Sequence, residues 1–214
     1  MLYELNYSNV IAKIVPDKYD IFSEKIKMDS ISAPSLIEIL PSSMKTWEYL
    51  LKRVFDFLAS LILLILLFPF FSIIALLVKL SSTGPVLYRQ KRVGKQGKLF
   101  EIIKFRSMYI DSEKEGFPML TKENDSRITS WGKIMRKYRI DELPQFYNVL
   151  IGDMSVVGPR PHMIEHSKFY SKQILTFLQR HKCPPGITGW AQVNGLRGPT
   201  EKPRIMKKRY DYDL

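Results

Sequence analysis

The sequence predicts an α+β fold, mainly α-helical, with one membrane element towards its N-terminal side. Three observations support this. Residues 57–78 form an apolar run without a charge, residues 86–105 contain two strand-like segments separated by glycines, and residues 130–182 contain three segments with helical signals. Apolar runs of this length are typical of membrane helices, and alternating segments around glycine are typical of hairpins.

Charge is spread unevenly along the 214 residues. Residues 1–44 carry 4 lysines against 6 acidic residues, whereas residues 45–214 carry 29 lysines and arginines against 15 acidic residues. A net charge of +14 over this second part suits polyanionic partners, which are nucleic acid, anionic lipid or phosphorylated substrates. A hydrophobic content of 45% excludes a wholly disordered chain, and the single cysteine, Cys183, excludes an internal disulfide framework.

The apolar run extends from Phe57 to Val78 and contains 22 residues. As a helix it would be about 33 Å long, which is enough to cross the hydrocarbon core of a bilayer. It begins too far from Met1 to be a signal peptide. A buried core helix is the alternative, but uninterrupted runs of this length favour membrane.

Both flanks of this run are basic, with Lys52 and Arg53 before it and Lys79 after it. Basic flanks remain on the cytoplasmic side. Pro69 removes one backbone donor and clashes with the preceding turn, so it kinks a helix. We therefore predict a helix over residues 45–80 that is broken at Pro69, enters one leaflet and returns; a kinked helix that spans the bilayer is the alternative.

The remaining elements are predicted from local signals. Residues 1–44 lack a long periodic pattern and contain Pro34 and Pro41, which is typical of a linker. Residues 86–93 and 98–105 would pair as a hairpin around Gly94 and Gly97.

Three helices should follow the hairpin. The first would be capped by Ser130. Its apolar face would hold Trp131, Ile134, Met135 and Tyr138. The second, over residues 141–151, would tolerate Pro144 in its first turn and end at Gly152. The third would cover residues 162–182.

Two adjacent carboxylates, Asp141 and Glu142, mark the start of the second predicted helix and follow a basic run at residues 136–139. Backbone N–H groups at a helix start attract phosphate. One carboxylate could attack phosphorus or hold Mg²⁺, with its neighbour as a second metal ligand or a base. Plain helix capping is the alternative.

Basic residues in two further segments could contact phosphate. Arg160 stands between Pro159 and Pro161, which fix its backbone and suit it to two-pronged phosphate binding. Lys104 and Arg106 would lie on one face of a strand and could clamp a diphosphate. A solvated turn and a solvated strand face are the respective alternatives.

Residues 184–195 form a turn-dense run with one tryptophan and two amides, suited either to a base or sugar pocket or to a structural loop. The sequence contains no phosphate-binding glycine motif and no zinc-ligand spacing. His162 and His166 are therefore expected to be exposed and without a metal.

Taken together, these segments resemble the bacterial sugar transferase family, the polyprenyl-phosphate hexose-1-phosphate transferases. The likeness covers about residues 45–214 and is nearest to the branch that loads glucose 1-phosphate for exopolysaccharide synthesis. The matching segments are residues 52–56, 84–86, 90–94, 104–108, 141–145, 152–155, 158–161 and 185–195.

The resemblance implies a reaction on the cytoplasmic face of the bacterial inner membrane. A UDP-sugar would give its sugar 1-phosphate to undecaprenyl phosphate, with release of UMP. Asp141 would be the nucleophile of a covalent aspartyl-phosphosugar intermediate, and Glu142 its partner, with Mg²⁺ on the pair. The residues expected to bind substrate phosphates are Lys104, Arg106, Arg136 and Arg160.

The resemblance also implies the membrane arrangement and the partners. The family's membrane helix re-enters at a proline that Pro69 matches. The expected partners are a UDP-sugar, undecaprenyl phosphate and membrane lipid but not nucleic acid, with a homo-oligomer as a further option.

Two departures from the family pattern concern the ends of the chain. Members of this branch begin with further membrane helices and a soluble domain, so residues 1–44 would be a linker or the remnant of a missing domain. Residues 81–214 would be a cytoplasmic catalytic domain that is incomplete at its C-terminus. A truncated, non-catalytic membrane-surface binding protein is the alternative function.

Overall fold

A computed structural model describes residues 44–110, 125–171, 177–196, 198 and 203–213, together with the backbone of two short strands. These strands, β1 (Lys13–Ile14) and β2 (Ile37–Glu38), pair antiparallel. The rest of the predicted linker over residues 1–44 lies outside the described residues. The chain divides into two units, residues 1–49 and 50–214.

The predicted membrane segment is a helix, α1, which runs from Thr46 to Ser81. Its length and composition would allow it to cross a membrane, and only 11% of its most apolar 18-residue window is buried in the protein. Side chains such as Ile65 and Phe68 are 65% and 69% exposed. A buried core helix is therefore wrong, because α1 presents its apolar side chains outwards.

Pro69 lies inside α1, which continues through it as one helix. The proline therefore does not end the helix as a break would. Proline removes only its own backbone donor, and in the next turn the Ser72 hydroxyl donates to the Phe68 carbonyl oxygen at 3.3 Å. A kink at Pro69 and a re-entrant path stay predictions.

The first part of α1 is fastened to the folded unit by polar contacts. Lys52 donates from Nζ to Ser155 Oγ at 2.5 Å, and Asp56 Oδ1 accepts from the Val156 N–H at 3.0 Å. Arg53 donates to the carbonyl oxygens of Val149 and Leu150 at 2.6 and 2.8 Å. These carbonyls belong to the last turn of a helix, where side-chain donors can bond oxygens that lack a full set of intrahelical donors. The basic segment before the apolar run thus positions α1.

The last part of α1 is fastened by apolar packing. Ile74 and Val78 are buried in one cluster with Phe105 and Met135. The contacts of Lys52 and of Val78 therefore fall on the same folded unit, although they stand 26 residues apart, roughly 39 Å along a straight helix.

The predicted hairpin is confirmed. Strands β3 (Leu87–Val93) and β4 (Leu99–Phe105) pair antiparallel with Leu87 opposite Phe105, and a short 3₁₀ turn, Lys95–Gly97, joins them. Gly97 has a φ of 75° in this turn, a conformation that glycine adopts without steric cost.

The first predicted helix is α2 (Ser130–Tyr138), but its cap is Thr129 rather than Ser130. Thr129 Oγ1 accepts from an N–H of the first turn at 2.9 Å. The predicted face is partly wrong, because Met135 is buried whereas Ile134 and Tyr138 are exposed.

The second predicted helix begins differently. A 3₁₀ turn, Ile140–Glu142, carries the two carboxylates, and α3 (Gln145–Ile151) follows with Pro144 at its cap. Gly152, with a φ of 101°, ends α3 as predicted.

The third predicted helix begins at Ile164 rather than at His162, and its last described part is a 3₁₀ helix. The chain forms α4 (Ile164–Ser171) and a 3₁₀ helix, Phe177–Lys182, while residues 172–176 lie outside the described part. Elements that the sequence did not predict complete the fold. They are β5 (Ser155–Val157), its parallel partner β6 (Gly186–Thr188), α5 (Trp190–Val193) and α6 (Pro203–Asp213).

Helix α6 is held by an aromatic cluster. Met206 and Tyr210 are buried against Tyr170 and Phe177, and the rings of Phe177 and Tyr210 stack with centroids 6.1 Å apart. The fold is therefore α+β and mainly helical, as predicted, and its last helix packs on the element that follows α4.

Candidate active site

A cleft of about 590 Å³ opens on the folded unit, and all the predicted catalytic and phosphate-binding residues line it. Its walls carry two carboxylates, Asp141 and Glu142. They also carry eight cationic side chains, Arg92, Lys104, Arg106, Arg127, Arg136, Arg139, Arg160 and Arg209. Such an excess of positive charge in a concave site attracts phosphate groups.

Glu142 stands at the centre of an ion-pair network. Lys104 Nζ lies 2.8 Å from Oε1, and Arg160 makes a two-pronged contact, with Nη2 2.5 Å from Oε1 and Nη1 3.2 Å from Oε2. Arg139 Nη1 lies 3.4 Å from Oε2. Burial alone would raise the pKa of Glu142, but Lys104 and Arg160 hold it well below its usual value. The anionic form of Glu142 is therefore favoured, and it holds Lys104 and Arg160 in place.

Asp141 takes no part in these ion pairs. Burial raises the pKa of Asp141; Lys104 opposes this shift, and the charge of Glu142 adds to it. Arg136 acts in the same direction as Lys104. Two neighbouring carboxylates whose pKa values move in opposite directions suit different tasks. Asp141 is the one left to meet a ligand.

Lys104 and Arg106 both line the cleft but have different partners. Lys104 binds Glu142, whereas Arg106 donates from Nη2 to the Ser82 carbonyl oxygen and hydroxyl at 2.6 and 2.9 Å. Arg106 is thus anchored to the turn after α1. Its Nε and Nη1 are buried without a hydrogen-bond partner among the described residues. The diphosphate clamp stays a prediction.

The backbone of Arg160 is held by a residue that the sequence did not point to. Arg180 donates from Nη2 to the Arg160 carbonyl oxygen at 3.0 Å and to Asp213 Oδ2 at 3.1 Å. Burial would lower the pKa of Arg160, yet Glu142 raises it. Both the guanidinium and the backbone of Arg160 therefore have fixed partners.

The prediction that His162 is exposed is wrong. Its ring is buried, stacks on Phe177 with centroids 5.8 Å apart and lies 3.3 Å from Arg180 Nη1. Burial lowers the pKa of His162 well below its usual value, and Arg180 adds to the shift. The neutral ring therefore packs the loop of residues 158–163, which carries both His162 and Arg160.

The turn-dense run at residues 184–195 contributes to the cleft through Gln192, which is buried and lines it. Trp190 is exposed instead and is not among the lining residues. The predicted pocket therefore does not use the tryptophan, because α5 turns this side chain outwards.

The two carboxylates, Asp141 and Glu142, are not equally suited to bind Mg²⁺. The described residues contain no group of three or more histidine, cysteine or acidic side chains able to hold a metal. Mg²⁺, however, is commonly held by one or two carboxylates and by substrate phosphates. Asp141 fits that arrangement, whereas both oxygens of Glu142 already accept from cations.

Comparison with known proteins decides the family. The family model described as bacterial sugar transferase matches residues 47–214. The chain belongs to this family.

Individual relatives are named for a phosphosugar transfer to undecaprenyl phosphate or for exopolysaccharide production. The chain is 41% identical over its whole length to the UDP-glucose:undecaprenyl-phosphate glucose-1-phosphate transferase of Xanthomonas campestris, and it covers 45% of that protein. It is 46% identical, over 78% of its length, to the exopolysaccharide production protein PSS of Rhizobium leguminosarum and covers 85% of it.

A relative from Aeromonas hydrophila is named for another sugar. This UDP-N-acetylgalactosamine-undecaprenyl-phosphate N-acetylgalactosaminephosphotransferase is 42% identical over 88% of the chain, which covers 44% of it. The chain thus spans less than half the length of the Xanthomonas and Aeromonas sugar transferases.

Proposed function

We propose that this protein transfers a hexose 1-phosphate from a UDP-sugar to undecaprenyl phosphate and releases UMP, as the first step of exopolysaccharide or glycan synthesis. The observation that carries this function is the cationic cleft in which Asp141 remains available while Glu142 is bound by Lys104 and Arg160. Glucose is the sugar we propose, because the Xanthomonas relative, which matches the whole length of this chain, is named as a glucose-1-phosphate transferase.

The first step uses Asp141 as the nucleophile. A carboxylate oxygen of Asp141 forms a bond to the phosphorus that carries the sugar, and the bond from this phosphorus to the bridging oxygen breaks. The electron pair leaves with UMP. Burial removes water from the Asp141 carboxylate, and the positive charges of Lys104 and Arg136 favour its ionised form. Phosphoryl transfer depends mainly on such positioning and charge neutralisation.

The second step releases the sugar phosphate from Asp141. A phosphate oxygen of undecaprenyl phosphate attacks the same phosphorus, a new diphosphate bridge forms, and the bond to Asp141 breaks. Arg160 is suited to hold a phosphate oxygen during both steps, because its orientation is fixed by Glu142 and Arg180. Asp141, with substrate phosphates, would hold Mg²⁺, which supplies further charge neutralisation.

We also propose that α1 enters and leaves the same leaflet, with the catalytic part on the cytoplasmic face of the inner membrane. Lys52 near one end of α1 and Val78 near the other both contact the same folded unit. This supports a re-entrant path, since a helix that crosses the bilayer carries its two ends to opposite faces. Both flanks are basic, which agrees with a cytoplasmic location for each.

The test is an assay of UMP release by the whole chain in detergent, with undecaprenyl phosphate and a panel of UDP-sugars. We expect release with UDP-glucose. After acid quench, label from the sugar-linked phosphate should remain on the protein and be absent from Asp141→Asn, because an amide is a far poorer nucleophile. Label that persists on Asp141→Asn would contradict the proposed nucleophile. No release with any UDP-sugar would favour a membrane-surface binding protein.

A further inference from the structure

Two arginines of the cleft have no place in the mechanism above. Arg92 comes from β3 and Arg209 from α6, and both line the cleft. The Nε of each is buried and has no hydrogen-bond partner among the described residues. A buried donor without an acceptor is costly unless a ligand or water supplies one.

The contacts of Arg92 and Arg209 provide acceptors for only some of their guanidinium N–H groups. Arg92 donates to Gln90 Oε1, and Arg209 donates from Nη2 to the Gly198 carbonyl oxygen at 3.1 Å. Neither arginine forms an ion pair with a carboxylate within the described part of the chain. Glu142 and Glu165 attract Arg92, and Asp213 attracts Arg209, but Glu142 is bonded to Arg160 and Asp213 is bonded to Arg180.

Both arginines line the same cleft as Arg160, and the charge of Arg160 acts on each of them. Burial, followed by the charge of Arg160, lowers the pKa of Arg92 to about 10. Burial likewise lowers the pKa of Arg209, with Arg160 as the next cause. The charges of both arginines also lower the pKa of His162, after burial and Arg180. Three like charges are thus held together, and Glu142 is bonded to only one of them, Arg160.

We infer that Arg92 and Arg209 form a second anion subsite in this cleft, which takes a phosphate monoester rather than the phosphorus that Asp141 attacks. Two arginine forks with free N–H groups suit the oxygens of a dianionic phosphate. In terms of the proposed function, on which this assignment of the phosphate rests, the monoester is either the phosphate of UMP as it leaves or the phosphate of the lipid acceptor.

The test measures binding rather than turnover. The whole chain in detergent is titrated with UMP in one arm and with farnesyl phosphate, a short polyprenyl phosphate, in the other. The variants are Arg92→Gln and Arg209→Gln. Their matched controls are Lys91→Gln and Lys207→Gln, exposed cations on the same two elements. Melting temperatures show which variants fold.

We expect at least one probe to bind about tenfold or more weakly to both subsite variants, and within about twofold of the parent in the controls. The affected probe identifies the source of the phosphate. Unchanged binding of both probes to the two folded variants, or no binding of either probe to the parent, would overturn the subsite. If Arg209→Gln does not fold, the comparison of probe binding between Arg92→Gln and Lys91→Gln decides whether the subsite exists.

The two proposals can fail separately. Binding that depends on Arg92 and Arg209, in a protein that releases no UMP from any UDP-sugar, would leave the subsite standing and refute the proposed reaction. UMP release by a protein whose phosphate binding is unchanged in both arginine variants would support the proposed reaction and refute the subsite.

Discussion

Arg180 and Asp213 form an ion pair of 3.1 Å in which each side chain is only 2% exposed. The same guanidinium nitrogen donates to the Arg160 carbonyl oxygen. Asp213 of helix α6 is therefore connected through Arg180 to the backbone of Arg160. This makes Asp213 a positioning residue for Arg160.

The first prediction concerns Asp213→Asn. Removing one partner of a buried ion pair leaves the other charge uncompensated, which costs about 3–5 kcal/mol. We expect a lower melting temperature and UMP release reduced by about tenfold or more at saturating UDP-sugar. Asp211→Asn, at an exposed position of the same helix, is the control.

A double-mutant cycle with Arg160→Ala distinguishes a role of Asp213 through Arg160 from a contribution to stability alone. If Asp213 acts through Arg160, its loss should reduce the rate much less in the Arg160→Ala background, because residues in one network are not additive. Equal losses in both backgrounds would show that Asp213 contributes only stability.

The second prediction concerns Arg160→Lys. Arginine contacts both oxygens of Glu142, whereas lysine keeps the charge but loses the planar fork. We expect UMP release to fall about tenfold or more, which corresponds to roughly 1.4 kcal/mol. Arg89→Lys, at an exposed site on β3, should change little. A near-parental rate in Arg160→Lys would reduce Arg160 to a generic positive charge.

The third prediction concerns stability in acid. The pKa of Glu142 is lowered in the folded chain, so the unfolded chain binds more protons and this residue stabilises the fold above its ordinary pKa. Its contribution is lost as the pH falls below that value. The pKa of Asp141 is raised, so Asp141 favours the fold on the acid side and opposes it as the pH rises through the shifted range.

Chemical denaturation between pH 3 and pH 7 checks these opposite signs (a window of roughly the carboxyl range). The free energy of unfolding should rise less steeply with pH in Glu142→Gln than in the parent, and more steeply in Asp141→Asn. Parallel curves for the parent and Glu142→Gln would contradict the lowered pKa.

Local signals predicted the chemistry of the site, and only tertiary structure provides its geometry. Adjacent carboxylates and an arginine between prolines were visible at Asp141 and Arg160. The pair Arg180–Asp213 was not, since 33 positions separate its members and no periodic pattern connects them. His162 was expected to be exposed because no metal-ligand pattern surrounds it, but its ring stacks on Phe177.

The short elements were missed for a related reason. Strands β5 and β6 have three residues each, too few for an alternating pattern, and their stability comes from parallel pairing across residues that are distant in sequence. Thr129 and Ser130 are both good caps by type, and only the hydrogen bond to Thr129 distinguishes them.

The last prediction concerns Pro69→Leu. Leucine restores a backbone hydrogen bond and removes a steric clash, a preference of about 3 kcal/mol for straight helix. A straight α1 would fit a spanning orientation. Spanning would carry either the Lys52 flank or the Lys79 flank to the periplasm, which the basic flanks oppose. It would also break either the Lys52–Ser155 contact or the packing of Val78.

Because these costs oppose the gain in helix geometry, we expect a mixed population in Pro69→Leu rather than complete reorientation. Membrane-impermeant thiol labelling from the periplasm measures it, with Ser43→Cys or Lys91→Cys placed in a Cys183→Ser background, so that each flank carries one reporter. Neither reporter should be labelled when Pro69 is present, and one of them should be partly labelled in Pro69→Leu. Strong labelling of either reporter with Pro69 intact would contradict the re-entrant path, since at least one flank would then lie outside the cytoplasm.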